Sequence, residues 1–173
     1  MTKKILFEGR FIRLIAEDGW EYVQRANCTG IVIMLAKTPK GRVIFVEQFR
    51  KPVAKRVIEF PAGLVNDTQG ASEETLEEAA RRELLEETGY QARRMKHLLS
   101  GPVSSGLSTD CLSFFLASGL KKVSEGGGDG TENITVHEVP LARVEMWLAA
   151  MRKKGKLVDP KVYAGIYLLR SSR

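Results

Sequence analysis

Arg82-Glu83-Leu84-Leu85-Glu86-Glu87-Thr88-Gly89-Tyr90 decides how this chain is read. Three carboxylates and an arginine precede a glycine in what reads as the end of a helix. That helix is predicted from about Ser72 to Thr88. Ser72 suits the N-cap, the Glu residues after it suit the first turn, and Gly89 suits the position just past the last turn. On an ideal helical wheel with Leu76 at zero, Glu87 falls at about 20°, Glu83 at about 340° and Glu86 at about 280°. Ala79 and Ala80 share that arc, whereas Glu74, Glu78 and Arg81 fall on the opposite, solvated side. Carboxylates gathered beside a packing face repel one another unless positive charge offsets them. Arg82 can pair with one neighbour, and a divalent cation can compensate the rest. Oxygen-only donors favour Mg²⁺ or Mn²⁺ over zinc. By charge and periodicity alone, an ordinary helix with intrahelical Glu–Arg pairs fits equally well.

Outward from this helix, short strand-like runs dominate the first sixty residues. Phe11–Ala16 and Trp20–Ala26 flank Asp18-Gly19 as a hairpin. Ile31–Ala36 is a continuous apolar run that suits a strand buried on both faces. Val43–Phe49 follows the Pro39-Lys40-Gly41 turn, and Val57–Phe60 stops at Pro61. Beyond the helix, strands are predicted at Arg94–Leu99, Leu112–Ala117 and Ile134–Val139. Amphipathic helices are predicted at Leu141–Lys153 and Pro160–Arg170. Ser124–Asn133, with four glycines and three acids, reads either as a mobile surface loop or as a lid that brings a carboxylate to a site. It lacks the Gly-Lys-Ser/Thr ending of a P-loop.

The bulk numbers limit the function classes. The chain has 173 residues and a net charge of +6, enough for one domain with a real core. Residues 73–87 hold seven Glu and two Arg, while the remainder carries 25 basic against 14 acidic side chains. An acidic pocket inside a basic field attracts polyanions. The basic residues are scattered and no aromatic-interleaved nucleic-acid motif is present, so nucleic acid is not the expected partner. No apolar run approaches the roughly 20 residues of a membrane span, and the N-terminus has too short an apolar stretch for a signal peptide. Cys28 and Cys111 have neither metal-like nor redox-like spacing and read as reduced, buried thiols of a cytoplasmic protein. His97 and His137 are too few for a histidine-based metal site.

The run Arg82–Tyr90 is similar to the end of the Nudix box. Glu74 stands eight positions before Arg82, as that box requires, and Gly63 in Phe60-Pro61-Ala62-Gly63 resembles its opening glycine. The resemblance implies a Nudix hydrolase of α+β class, with a mixed β-sheet between helices and a strand–loop–helix element holding Mg²⁺ or Mn²⁺. Glu59-Phe60-Pro61-Ala62-Gly63 and Val46-Glu47-Gln48-Phe49-Arg50 resemble the subgroup that cleaves ADP-ribose and other nucleoside diphosphate sugars. Gly126–Gly128 through Glu132–Val136 resembles that subgroup's catalytic loop, including a GDP-mannose-cleaving branch. Asp159-Pro160-Lys161 resembles the start of its C-terminal helix. The implied division is an N-terminal β-hairpin extension over residues 1–29, used for dimerisation, and a hydrolase domain over 30–173.

The site the resemblance implies has Glu83, Glu86 and Glu87 as metal ligands with the Ala62 carbonyl. Arg82 holds the acids, and Glu132 is the mobile acid or base, ahead of Asp129 and Glu125. On the substrate side stand Arg50, Glu59, Trp20 and Ser105. Arg50 reads as a donor to the diphosphate or as a surface arginine at a strand end. Trp20 reads as a stacking platform for a purine or as an aromatic packed in the dimer interface. Three departures from the family pattern stand out. Leu64 to Glu73 makes ten residues where the family has five. Ser105 replaces the proline of a Ser-Pro-Gly turn, with Asp110 where the family carries Glu. One acidic loop position falls on Gly130. The alternatives are a Nudix enzyme for oxidised nucleotides or dinucleoside polyphosphates, and a nucleotide-sugar sensor that does not hydrolyse its ligand.

Overall fold

The computed structural model describes residues 3–66, 74–128 and 133–171. Its strands are β1 (Lys4–Glu8), β2 (Ile12–Glu17), β3 (Trp20–Arg25), β4 (Gly30–Ala36), β5 (Arg42–Arg50), β6 (Lys55–Glu59), β7 (Ala62–Val65), β8 (Tyr90–Pro102), β9 (Cys111–Lys122), β10 (Thr135–Pro140) and β11 (Leu157–Val158). The helices are α1 (Leu76–Thr88), α2 (Val144–Lys153) and α3 (Pro160–Ser171). Among the described residues, no helix is long and apolar enough to cross a membrane.

Among the described residues three sheets form, in the orders β1-β2-β3, β10-β5-β6-β11 and β7-β4-β9-β8. The last two are mixed, because β4–β9 and β6–β11 pair parallel while their other pairs are antiparallel. The apolar run of β4 is buried on both faces, as its composition demands. Val32, Met34 and Ala36 pack towards α1, while Ile33 and Leu35 pack towards α2 and α3. The alternation follows from the period of two along a strand. The expected architecture of mixed sheet between helices is therefore present. The predicted hairpin is present as β2–β3, and β1 adds to β2 to make an N-terminal antiparallel sheet of three strands.

Helix α1 starts later than its acidic run implied. Thr75, not Ser72, is the N-cap: its hydroxyl accepts from the Glu78 N–H at 3.3 Å, and the Glu78 carboxylate accepts from the Thr75 N–H at 2.8 Å. This reciprocal pair satisfies two orphan donors, which a lone Ser72 cap would not. Ser72 lies outside the described residues. Ala79, Ala80 and Leu84 form the buried face of α1, and Gly89 closes it at φ 71°.

The polypeptide crosses between the two mixed sheets at Phe60-Pro61, from β6 to β7. There β7 pairs antiparallel with β4, with Ala62 beside Ile33 and Gly63 beside Val32. The Pro61 carbonyl accepts from the Met34 N–H at 2.8 Å. This crossing lays the Ala62-Gly63 backbone against α1. The cysteines differ from expectation: Cys111 is exposed and Cys28 half-buried, since each lies at or near a strand's start rather than in its core.

Candidate active site

Arg82 organises the acidic side chains of this region. Its Nε donates to Glu74 Oε1 at 2.8 Å and its Nη2 to Glu74 Oε2 at 3.1 Å, a two-point contact. Nη2 also reaches the Leu64 carbonyl at 3.0 Å, tying α1 to β7. Nη1 donates to Glu83 Oε1 at 2.8 Å and Glu86 Oε2 at 3.3 Å. The Arg82 hydrogen bonds hold the Glu74 carboxyl below the usual carboxylate range, and the acids in turn raise the guanidinium's pKa. Glu74 thus differs from its helical-wheel placement on a solvated face. It precedes the N-cap, so the helical period does not reach it, and its backbone N–H donates to Asn66 Oδ1 at 2.6 Å.

Glu83 and Glu87, one turn apart on α1, meet consecutive residues of β7. Glu87 is 3% exposed, and its Oε2 accepts from the Ala62 N–H at 3.0 Å. Glu83 lies over Gly63 so closely that a Cβ there would overlap its carboxyl group. The opening glycine is therefore a cradle for an acid. Glu86 is the outlier, 43% exposed and drawn towards Arg82. Among the described residues, no three acids, cysteines or histidines converge tightly enough to hold an ion by themselves. A tight nest of three carboxylates is thus not preformed, because Arg82 holds Glu83 and Glu86 while the Ala62 N–H holds Glu87. The donor set still fits a hard divalent cation: carboxylate oxygens converge on a backbone from two positions, with no thiolate or imidazole among them. Mg²⁺ characteristically completes such a partial set with water and substrate phosphate oxygens.

The four substrate-side candidates come together as two pairs. Arg50 Nε donates to Glu59 Oε2 at 2.8 Å across the β5–β6 hairpin. Trp20 and Ser105 line one cavity of about 500 Å³ between the N-terminal sheet and the β8–β9 turn. Backbone bonds between Val23 and both Leu107 and Thr109 hold that sheet in place, at 2.8 and 3.0 Å. Arg25 Nε donates to Asp110 Oδ2 at 3.2 Å beside them. Glu132, Asp129 and Gly130 lie outside the described residues. Glu125, in the described part of that segment, is exposed, and its carbonyl accepts from Lys122 Nζ at 3.4 Å.

One buried acid was not singled out by sequence reasoning. Glu47 is 3% exposed within β5. It accepts from Arg56 Nε at 2.5 Å, Lys156 Nζ at 2.5 Å and His137 Nε2 at 3.0 Å. Burial pushes its pKa up, but the bonds from Lys156, Arg56 and His137 outweigh that and bring it down to about 2. The available signal was an acid inside the strand-like run Val43–Phe49, directly after four apolar residues.

The NUDIX domain model matches residues 27–163. A methanol dehydrogenase activator of Bacillus methanolicus is 29% identical over 95% of this chain and 88% of its own length. An ADP-ribose pyrophosphatase of Bacillus subtilis is 34% identical over 82% of this chain and 77% of its own. A GDP-mannose pyrophosphatase of Yersinia enterocolitica is 34% identical over 85% and 78%. The crystal structure of an ADP compounds hydrolase superposes with a TM-score of 0.74 at 19% identity, covering 99% of this chain and 91% of that one. With the glycine cradle, the capped acidic helix and a match over most of its length, this chain belongs to the Nudix hydrolase family.

Proposed function

We propose that this enzyme hydrolyses the pyrophosphate bond of a nucleoside diphosphate sugar of ADP-ribose or GDP-mannose type, giving a nucleoside monophosphate and a sugar phosphate. The observation that carries this reading is the meeting of Glu83 and Glu87 with the Ala62-Gly63 backbone. Support for the substrate class comes from the ADP-ribose and GDP-mannose pyrophosphatases among its relatives.

Glu83, Glu87 and the Ala62 carbonyl would hold Mg²⁺, or Mn²⁺, with Glu86 serving a second ion or its water. When bound, the ion neutralises phosphate charge and lowers the pKa of coordinated water. Arg82 acts through Glu83 and Glu86, fixing their carboxylates by charge-assisted bonds. Glu132 is the acid proposed to orient or deprotonate the attacking water. Arg50, steadied by Glu59, presents its remaining N–H groups to the diphosphate. Trp20 offers a ring face to the base, with Ser105 across the same cavity.

The N-terminal extension, residues 1–29, is proposed to pair with a second copy in a homodimer, and residues 30–173 to form the hydrolase domain. Ile5, Phe7 and Phe11 on that extension are 49–63% exposed, an apolar surface that a partner would cover. The test is phosphate release from ADP-ribose and GDP-mannose with a coupled phosphatase, with and without Mg²⁺. Metal-dependent release from either supports the reading. Binding of both without release would identify a sensor instead, and release only from oxidised nucleotides or dinucleoside polyphosphates would change the substrate class.

A further inference from the structure

Glu86 and Glu87 stand at the unfavourable end of α1. Carbonyl oxygens at a helix C-terminus carry partial negative charge, and the last turn of α1 contains no basic residue. The segment that follows β9 answers this from outside the helix. The Gly127 N–H donates to the Glu87 carbonyl at 2.9 Å, and the Gly128 N–H donates to the Glu86 carbonyl at 3.1 Å. Lys122 Nζ donates to the Thr88 carbonyl at 3.2 Å, and the Val123 N–H donates to the Gly89 carbonyl at 2.9 Å. Two of these bonds land on the backbones of the residues whose side chains are assigned to the metal.

The approach is close enough to dictate composition. A Cβ on Gly126 would come within 2.6 Å of the Gly89 nitrogen and 2.7 Å of the Glu87 carbonyl oxygen. Gly126, Gly127 and Gly128 adopt φ of 73°, 114° and 91°, where a side chain is strained. Composition alone marks this stretch as flexible, yet its first half is bonded to the end of α1.

We propose that the Gly126–Gly128 turn is a positioning element for metal binding. By holding the Glu86 and Glu87 carbonyls it fixes the directions in which both side chains leave the helix, so metal affinity depends on it. The proposal rests on the reading of Glu83, Glu86 and Glu87 as ligands. The experiment is a titration of the full chain with Mn²⁺, without substrate, following free ion by electron paramagnetic resonance. Hydrogen exchange of the α1 C-terminal peptide is measured alongside.

Gly126→Ala is expected to accelerate exchange at residues 85–89 and to raise the Mn²⁺ dissociation constant about 10-fold, as loss of a second-layer partner does. Gly41→Ala is the control, since Gly41 has φ 71° in the β4–β5 turn with open space around it. It is strained in the same way and is expected to leave Mn²⁺ binding unchanged. Gly127→Ala, whose Cβ would meet nothing within 4 Å, gives the same reading should Gly126→Ala not fold. Wild-type Mn²⁺ affinity in Gly126→Ala, with or without faster exchange, would overturn the proposal. A wild-type chain that binds no Mn²⁺ would instead overturn the ligand assignment, and the positioning role with it.

Discussion

Glu47 and Glu87 are equally buried, each 3% exposed, yet their surroundings are opposite. Around Glu47, one carboxylate receives an arginine, a lysine and a histidine. Around Arg82, one guanidinium is shared by Glu74, Glu83 and Glu86, and Glu87 lies one turn further on, against Ala62. A buried charge is tolerated only when something compensates it. The first centre finds compensation within its own fold and ties β5, β6, β10 and the segment before β11 together. The second crowds acids around one guanidinium, an arrangement whose repulsion a bound divalent ion would relieve. The first is a fastener and the second is proposed as a receptor, although burial alone does not tell them apart.

The most direct way to break this contrast is to neutralise each acid in turn. Glu87→Gln is expected to lower metal-dependent turnover by about 10³-fold, some 4 kcal/mol of barrier. Its amide oxygen can still accept from the Ala62 N–H, so the midpoint of thermal unfolding moves by no more than about 3 °C. Coupled phosphate release and a thermal scan measure the two. Normal turnover in Glu87→Gln would remove the metal centre from the account. Glu47→Gln is expected to do the reverse. Leaving Arg56 and Lys156 without their anion costs roughly 2–3 kcal/mol, less than a fully buried pair because both cations are partly solvated. That lowers the unfolding midpoint by roughly 5–10 °C in a chain of this size. Turnover well below the midpoint stays within about threefold of wild type, under 1 kcal/mol of barrier.

The two centres were also unequally legible in the sequence. Residues 82–90 put the acids and the closing glycine within one turn or two, so local periodicity places Glu83 and Glu87 together. Glu47 depends on partners 90 and 109 residues away, and no local pattern announces them. The same division holds for the fold. The run of β4 was readable because it is apolar on both faces. Strand β1 is exposed throughout and carries no burial pattern. Strand β7 is four residues with Ala and Gly at its start, and its pairing is set by β4 rather than by its own propensity. The start of α1 was misplaced because acids at 73, 74, 77 and 78 suit a first turn in several registers. Only the Thr75–Glu78 bonds decide among them. That Trp20 and Ser105 line one cavity likewise depends on how the N-terminal sheet docks.

Arg50 with Glu59 is an intermediate case, one cation for one acid. With Arg50 half-exposed at a strand end, the pair contributes little to stability. Arg50→Lys keeps the charge but loses the two-point geometry suited to phosphate. It is expected to raise KM about 10-fold with kcat little changed, about 1.4 kcal/mol of binding. Steady-state kinetics on ADP-ribose and GDP-mannose test this. A fall in kcat with KM unaltered would move Arg50 from substrate binding to the transition state.

The smallest expected effect is a test of the fastener by pH. Glu47 has a folded pKa of about 2, below its ordinary value of 4.5. A depressed pKa means that the folded state holds the proton less tightly than the unfolded one. Its stabilisation is therefore complete above about pH 4.5 and drains away as pH falls towards 2. Glu47→Gln has no such group, and every other acid is shared with wild type, so the difference between the two proteins isolates Glu47. Between pH 6 and pH 4 that difference is expected to shrink by about 1 kcal/mol, or roughly 2–4 °C in the gap between their midpoints. Parallel thermal scans at half-unit pH steps would resolve it. A gap that stays constant over this range would mean that Glu47 carries the same charge whether folded or not at each pH. The three basic groups around it would then be packing neighbours rather than the cause of its ionisation, and the opposition between the two centres would rest on Arg82 alone.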